Sequence, residues 1–163
     1  MILLIIGVAV ILLFTFHLFI GPPFLPTLGD KTGEAIEMLN LKAGQLLIEL
    51  GSGDGRVLKA AAKKGIRSVG YEINPLLALY SKITTYRYRK LVTIKLTNFW
   101  KESLKKADGI YIFGLDRYMM KLNNKIIQEC HRPLVVVSFA FRFPGRKPTE
   151  EKGGLFLYKF NPK

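Results

Sequence analysis

A chain of 163 residues has room for one ordinary domain, and its single cysteine, Cys130, excludes a disulfide framework and any cysteine-built zinc site. Charge is lopsided: 25 Lys and Arg against 12 Asp and Glu give a net +13, and no charged side chain precedes Asp30. Such a surface attracts polyanions or anionic lipid headgroups, and beside an apolar segment lipid is the simpler partner.

That segment comes first. Ile2 to Ile20 is apolar except for Gly7, Thr15 and His17, and at about 1.5 Å per residue it spans roughly the 30 Å hydrocarbon core of a bilayer. A cleaved signal peptide requires a basic leader and a small-residue cleavage site, and neither is present. The sequence therefore predicts a single transmembrane anchor over residues 1–21, ended by Gly21-Pro22-Pro23, and one domain over 22–163. His17 reads as an interfacial residue near the helix end. All nearby lysines lie downstream, which places the domain on the cytoplasmic side. Phe24 to Asp30 is a short extended linker that keeps the domain against the membrane. Gly33 to Leu41 reads as an amphipathic helix with Ala35, Met38 and Leu39 inward.

Leu46 to Pro75 is the informative stretch. Leu46-Leu47-Ile48 is a buried strand, followed by the turn Glu49-Leu50-Gly51-Ser52-Gly53-Asp54-Gly55, a helix from Arg56 to Lys64 stopped by Gly65, and a strand from Ser68 to Tyr71 ending in Glu72. A dinucleotide turn uses G-x-G-x-x-G behind a pyrophosphate. Here the glycines are two apart and Glu49 and Asp54 stand beside them, which disfavours a pyrophosphate and suits an ammonium or sulfonium group. Glu72 stands where a carboxylate accepts both hydroxyls of a ribose. If it serves only the ligand, Glu72→Ala leaves fold stability almost unchanged.

Asn74-Pro75 starts a helix to about Arg89 with Leu76, Leu79, Tyr80 and Ile83 as its expected buried stripe. Tyr86-Arg87-Tyr88-Arg89-Lys90 interleaves aromatics and cations. It reads as a helix end facing water or lipid, although the pattern also occurs in nucleic-acid binders. Leu91 to Leu96 is a third strand, leading to Thr97-Asn98-Phe99-Trp100, whose two rings can serve the core or a ligand. Ile110 to Phe113 is the fourth, ending at Gly114-Leu115-Asp116. Chemistry collects at such strand ends, so Asp116 is a catalytic candidate, with helix capping of Arg117 to Glu129 as its other reading. His131 reads as a helix-end cation. Leu134 to Phe143 and Leu155 to Phe160 are the fifth and sixth strands, with Pro144 to Gly154 a mobile loop between them. Strands alternating with helices give a doubly wound α/β sheet.

The glycine turn and Glu72 together resemble the first two motifs of class I S-adenosylmethionine (SAM) methyltransferases. Pro23-Phe24-Leu25-Pro26-Thr27, Tyr71-Glu72-Ile73-Asn74-Pro75, Ile112-Phe113-Gly114 with Met119-Met120, and Phe141-Arg142-Phe143-Pro144 narrow the likeness. In that order they are similar to a small family of membrane-anchored protein-lysine methyltransferases, whose characterised members modify the ATP synthase c-subunit and the adenine nucleotide translocase. The resemblance implies a Rossmann-like fold with sheet order 3-2-1-4-5 plus one antiparallel strand, shortened to six strands. It implies SAM as cofactor, held by Glu49, Gly51, Ser52, Gly53, Asp54, Gly55, Glu72, Ile73, Asn98 and Phe99, with no metal. Asn98 replaces an acid that usually accepts from the adenine amino group, and its carbonyl can accept the same bond. The implied partners are the bilayer, through residues 2–20, and a protein substrate with a juxtamembrane lysine.

Two other functions compete: a lipid or quinone methyltransferase, and a basic membrane-tethered nucleic-acid binder. The Asn-Pro-Pro-aromatic signature of enzymes that methylate exocyclic base amines is missing, which counts against nucleic-acid acceptors.

Overall fold

A computed structural model describes Met1, Leu4, Gly7 and residues 29–162. Apart from Leu4 and Gly7, the anchor expected over residues 2–20 lies outside the described residues, as does the linker expected from Phe24 to Asp30 as far as Leu28; Gly29 and Asp30 are helical and not extended. Among those described, no helix is long and apolar enough to cross a membrane.

In chain order the elements are α1 (Gly29–Leu39), β1 (Leu46–Leu50), α2 (Arg56–Lys63), β2 (Arg67–Glu72), α3 (Pro75–Thr85), β3 (Val92–Leu96), β4 (Gly109–Phe113), α4 (Asp116–Glu129), β5 (Leu134–Phe139), β6 (Glu150–Lys152) and β7 (Leu155–Phe160). They form one sheet in the order β3-β2-β1-β4-β5-β7-β6. The first five strands run parallel and β7 lies antiparallel to β5. The order expected from the sequence holds.

Side chains alternate across each strand, which splits the core into two layers. On one face Ile48, Leu50, Ile110 and Ile112 pack with Met119, Leu122 and Ile126 of α4. On the other, Leu47, Tyr111 and Val137 pack with Ala35, Ile36 and Leu39 of α1 and with Val57 and Ala61 of α2. Because helices cover both faces, the central strand β4, Gly109-Ile110-Tyr111-Ile112-Phe113, is apolar throughout, whereas the edge strand β3 carries Thr93 and Lys95.

Four expectations are corrected. The sheet has seven strands and not six: Glu150–Lys152 adds an edge strand on β7, turned by Gly153 (φ 54°) and Gly154 (φ 84°), the pair of positive φ values that a tight hairpin requires. The segment after β5 is therefore not one long loop. Strand β5 stops at Phe139 and does not reach Phe143. Ala140 turns left-handed at φ 68°, and Ser138 Oγ donates to the Phe141 carbonyl at 2.7 Å. Phe143 is still buried, edge-on to Tyr158 at 4.8 Å, so its apolar character reports packing and not strand. Asp116 does not cap α4. Leu115 occupies the cap position with no side-chain bond, and Asp116 lies exposed in the first turn.

The fourth correction concerns α3. Leu76, Leu79, Tyr80 and Ile83, expected inward, are 48–65 % exposed, while Ala78, Ser81 and Thr85 are buried. The cause is Gly55, where an added Cβ would collide with Ser81 Oγ and come within 3.1 Å of Thr85 Cγ2. The helix approaches the glycine turn too closely for anything larger than Ala, Ser or Thr, so its bulky residues face outward.

Candidate functional site

The site is built at the carboxyl ends of β1 and β2. After Leu50 the chain runs through three left-handed glycines, Gly51 (φ 82°), Gly53 (φ 52°) and Gly55 (φ 78°). That conformation costs an ordinary residue free energy and glycine almost none. The amides of Gly51 and Ser52 both donate to the Tyr71 carbonyl, at 2.9 and 3.0 Å, which lashes the turn to β2. Nothing lies within 4 Å of where a Gly51 Cβ would stand. The turn thus presents open, side-chain-free backbone at Gly51, as close ligand approach requires, while Gly55 is covered by α3.

Glu72 closes the turn from the other side. Its Oε2 accepts from the Gly53 amide at 2.7 Å, and its Oε1 accepts from the amides of Ile73 at 2.9 Å and Asn74 at 2.8 Å. Only 6 % of the residue is exposed. Asn74 continues the chain of caps, its Oδ1 accepting from Leu76 and Leu77 to start α3 behind Pro75. The expectation that Glu72 serves the ligand alone, leaving fold stability untouched on substitution, does not survive this geometry. The carboxylate also clasps the turn to the entry of α3.

Glu49, at the end of β1, is buried at 4 % exposure, with Oε2 lacking a hydrogen-bond partner. Burial pushes its carboxyl well above the usual range, and the neighbouring charges of Asp54 and Glu72 push the same way. The Leu58 amide at the start of α2 and Arg56 oppose them. Asp54 is differently placed. It forms an ion pair with Arg56 at 2.6 Å, so its charge is answered within the protein. Glu49 and Glu72 are the buried carboxyls of the cleft.

The Thr97 amide donates to the Glu72 carbonyl at 2.8 Å and brings the next turn beside the cleft. There Asn98 Oδ1 accepts from the Trp100 amide at 3.1 Å, and the Phe99 and Trp100 rings lie 4.6 Å apart, partly buried against the core. Ile73 is 37 % exposed at the mouth. The structure thus gathers Glu49, the turn from Gly51 to Gly55, Glu72, Ile73, Asn98 and Phe99. Asp116 shares the same edge of the sheet, beyond β4. Among the described residues no group of three or more His, Cys, Asp or Glu side chains could hold a metal.

Sequence reasoning missed two parts of the site. Gly70, inside β2, would on gaining a Cβ meet Ser52 Oγ and Leu58 Cδ1 at 2.6 Å, so it seats the turn. A lone glycine within a strand is the signal for such close approach. Thr84 of α3 donates through Oγ1 to the Asp54 carbonyl at 3.0 Å, and the apolar letters beside it drew attention to the wrong face.

A parallel sheet reversing at β1, a glycine turn and an acid after β2 define a class I methyltransferase fold. An RNA methyltransferase of Salinibacter ruber, solved with S-adenosylhomocysteine, superposes with a TM-score of 0.77 at 24 % identity, covering 85 % of this chain and 95 % of that one. The profile of the ANTKMT methyltransferase domain matches residues 49–150, and the chain belongs to that family. The human lysine N-methyltransferase of the ATP synthase c-subunit is 34 % identical over 133 residues, 80 % of this chain and 57 % of that protein. Mouse adenine nucleotide translocase lysine N-methyltransferase is 29 % identical, over 79 % of this chain and 58 % of its own length. This chain spans a little over half the length of both.

Proposed function

We propose that this protein is a SAM-dependent protein-lysine N-methyltransferase acting on a membrane-associated protein. The observation that carries the reading is the cleft itself: two buried carboxyls, Glu49 and Glu72, at a glycine turn open at Gly51, in a chain of this family. The human and mouse relatives are both lysine N-methyltransferases.

The residues present fit SAM. Gly51 leaves room against the backbone, and Glu49 offers a carboxylate to a cationic group. Glu72 offers one to the ribose hydroxyls. A carboxylate has about four acceptor positions. Three on Glu72 are occupied, two on Oε1 and one on Oε2, so the open position for a ribose hydroxyl is on Oε2. Ile73, Asn98 and Phe99 border the place for a base. Ser52 and Gly53 shape the turn, Gly55 admits α3, and Asp54 fixes the turn through Arg56.

SAM supplies an electrophilic methyl group when bound. The protein has then to hold a neutral amine in line with it and exclude water. Lysine has an ordinary pKa of about 10.4, so the acceptor must shed its proton on entry. Asp116, exposed at the end of β4, is the carboxylate proposed to take it. Residues 2–20 are proposed to anchor the chain once through the membrane with the domain on the cytoplasmic side, which confines acceptors to juxtamembrane lysines. The net charge of +13 supports this placement.

The test is incubation with methyl-labelled SAM and native membranes, followed by mapping of the label by mass spectrometry. Label on lysine is expected, with kcat lowered and SAM affinity kept in Asp116→Asn. Label confined to lipid or RNA overturns the lysine assignment.

A further inference from the structure

The outer face of α3 has no role in the fold or in the cleft. Leu76, Leu79, Tyr80 and Ile83 recur at helical spacing and are 48, 57, 55 and 65 % exposed, and Tyr86 in the following turn is 65 % exposed. A contiguous apolar stripe of this kind marks an interaction surface.

Its charge setting says what covers it. From Ile73 to Lys101 the chain holds six cations, Lys82, Arg87, Arg89, Lys90, Lys95 and Lys101, and no Asp or Glu at all. The stripe thus runs along a helix in a segment that carries only cations; of these Lys95 is paired with Glu102 at 3.2 Å, and Asp54, which touches the helix through Thr84, is paired with Arg56. A partner must be apolar and anionic together. The uncharged stretch from Ile2 to Ile20 would cover the leucines but answer none of the cations. A second copy of a chain with net charge +13 would be repelled. Nucleic acid would answer the cations and leave the aliphatic side chains bare. The interface of an anionic bilayer meets both demands: leucine, isoleucine and tyrosine seat at the acyl boundary while lysine and arginine reach the headgroups.

We infer that the outer face of α3 is a membrane-docking surface for anionic lipid, separate from the anchor proposed for residues 2–20. Ile73 and Leu96, 37 and 55 % exposed, continue the apolar surface to the carboxyl ends of β2 and β3, where the cleft opens. Docking through α3 therefore sets the cleft mouth close to the lipid surface and gives the domain one orientation on it.

The test uses the full chain in nanodiscs of phosphatidylcholine with or without phosphatidylserine. The native thiol is removed by Cys130→Ser, and an environment-sensitive fluorophore is placed at Ile83→Cys or, as a control, at Lys152→Cys on β6. Nitroxide-bearing lipid is expected to quench position 83 in discs containing phosphatidylserine and to leave position 152 unaffected. Adding Arg87→Gln and Lys90→Gln is expected to weaken docking by about five-fold for each cation removed.

A position 83 that stays solvent-like in anionic discs overturns the inference. So does a position 83 already shielded in detergent and indifferent to phosphatidylserine, since the occupant is then residues 2–20 or a second copy. Whether the chain co-purifies with discs lacking phosphatidylserine reports on the anchor and is read separately.

Discussion

Replacing Glu72 by alanine separates the two duties of its carboxylate. Three backbone amides lose their acceptor, and two of them, on the buried residues Gly53 and Asn74, have little access to water, whereas Ile73 can be rehydrated. An orphaned buried donor costs about 1–3 kcal/mol, so the two together give a loss of roughly 2–6 kcal/mol. That is a large part of the roughly 5–15 kcal/mol holding a domain together, and it lowers the melting temperature by roughly 5–15 °C. Glu72→Gln keeps one carbonyl oxygen and is expected to fall between alanine and the parent. Denaturant unfolding gives the global loss, and hydrogen exchange gives its location, with the amides of Gly53 and Asn74 losing protection first. SAM affinity, titrated below the unfolding range, is expected to fall about thirty- to a thousand-fold, the equivalent of roughly 2–4 kcal/mol. A Glu72→Ala protein with a stability change under about 0.5 kcal/mol and unaltered exchange at those amides would refute the clasp.

Glu49 pulls the other way. Its folded-state pKa is raised by burial and by Asp54 and Glu72, so the folded chain holds that proton longer than the unfolded one. Stability is then greatest below the ordinary carboxylate value of 4.5 and declines as pH rises towards the raised one. Glu49→Gln is expected to remove that decline and be the more stable protein at neutral pH, while binding SAM about ten- to a hundred-fold more weakly. Denaturation at a series of pH values and calorimetric titration check the two halves. Glu129 shows the opposite sign. Burial alone would raise its carboxyl, but the Leu104 amide at 2.6 Å and Lys125 at 2.6 Å hold it below the ordinary range. Its stabilisation is present above the unfolded value and lost as pH falls through the folded one, so Glu129→Gln should flatten the acid limb of the stability profile. Gly70→Ala, driven against Ser52 and Leu58, should cost about 1–3 kcal/mol by thermal unfolding and weaken SAM binding as the turn shifts.

The strands and the glycine turn were legible because each rests on local chemistry, whereas the strand order came with the family resemblance. Apolar runs make buried parallel strands, and alternate glycines make a left-handed turn. The inward face of α3 was not. Leu76, Leu79, Tyr80 and Ile83 have the spacing of a core stripe, and only the closeness of Gly55 to Ser81 and Thr85 decides which face turns inward. Spacing gives a helix its stripe but not the stripe its partner. Phe143 illustrates the same limit, since its hydrophobicity forecast burial correctly and strand wrongly. Glu72 was recognised as an acid at a ligand position, while its bonds to three amides, one of them nineteen residues earlier in the chain, belong to tertiary structure.

The sheet ends in two unlike edges. Strand β6 offers only three residues, Glu150, Glu151 and Lys152, all exposed and charged, which is a poor template for another chain. Strand β3 at the far side is longer and carries Val92, Thr93 and Ile94, with Lys95 as its one charged residue. Aggregation of overproduced protein will therefore start along β3, through strand addition between copies. Thr93→Lys, at an exposed position on that strand, is the substitution that would suppress it while leaving the buried faces of the sheet intact.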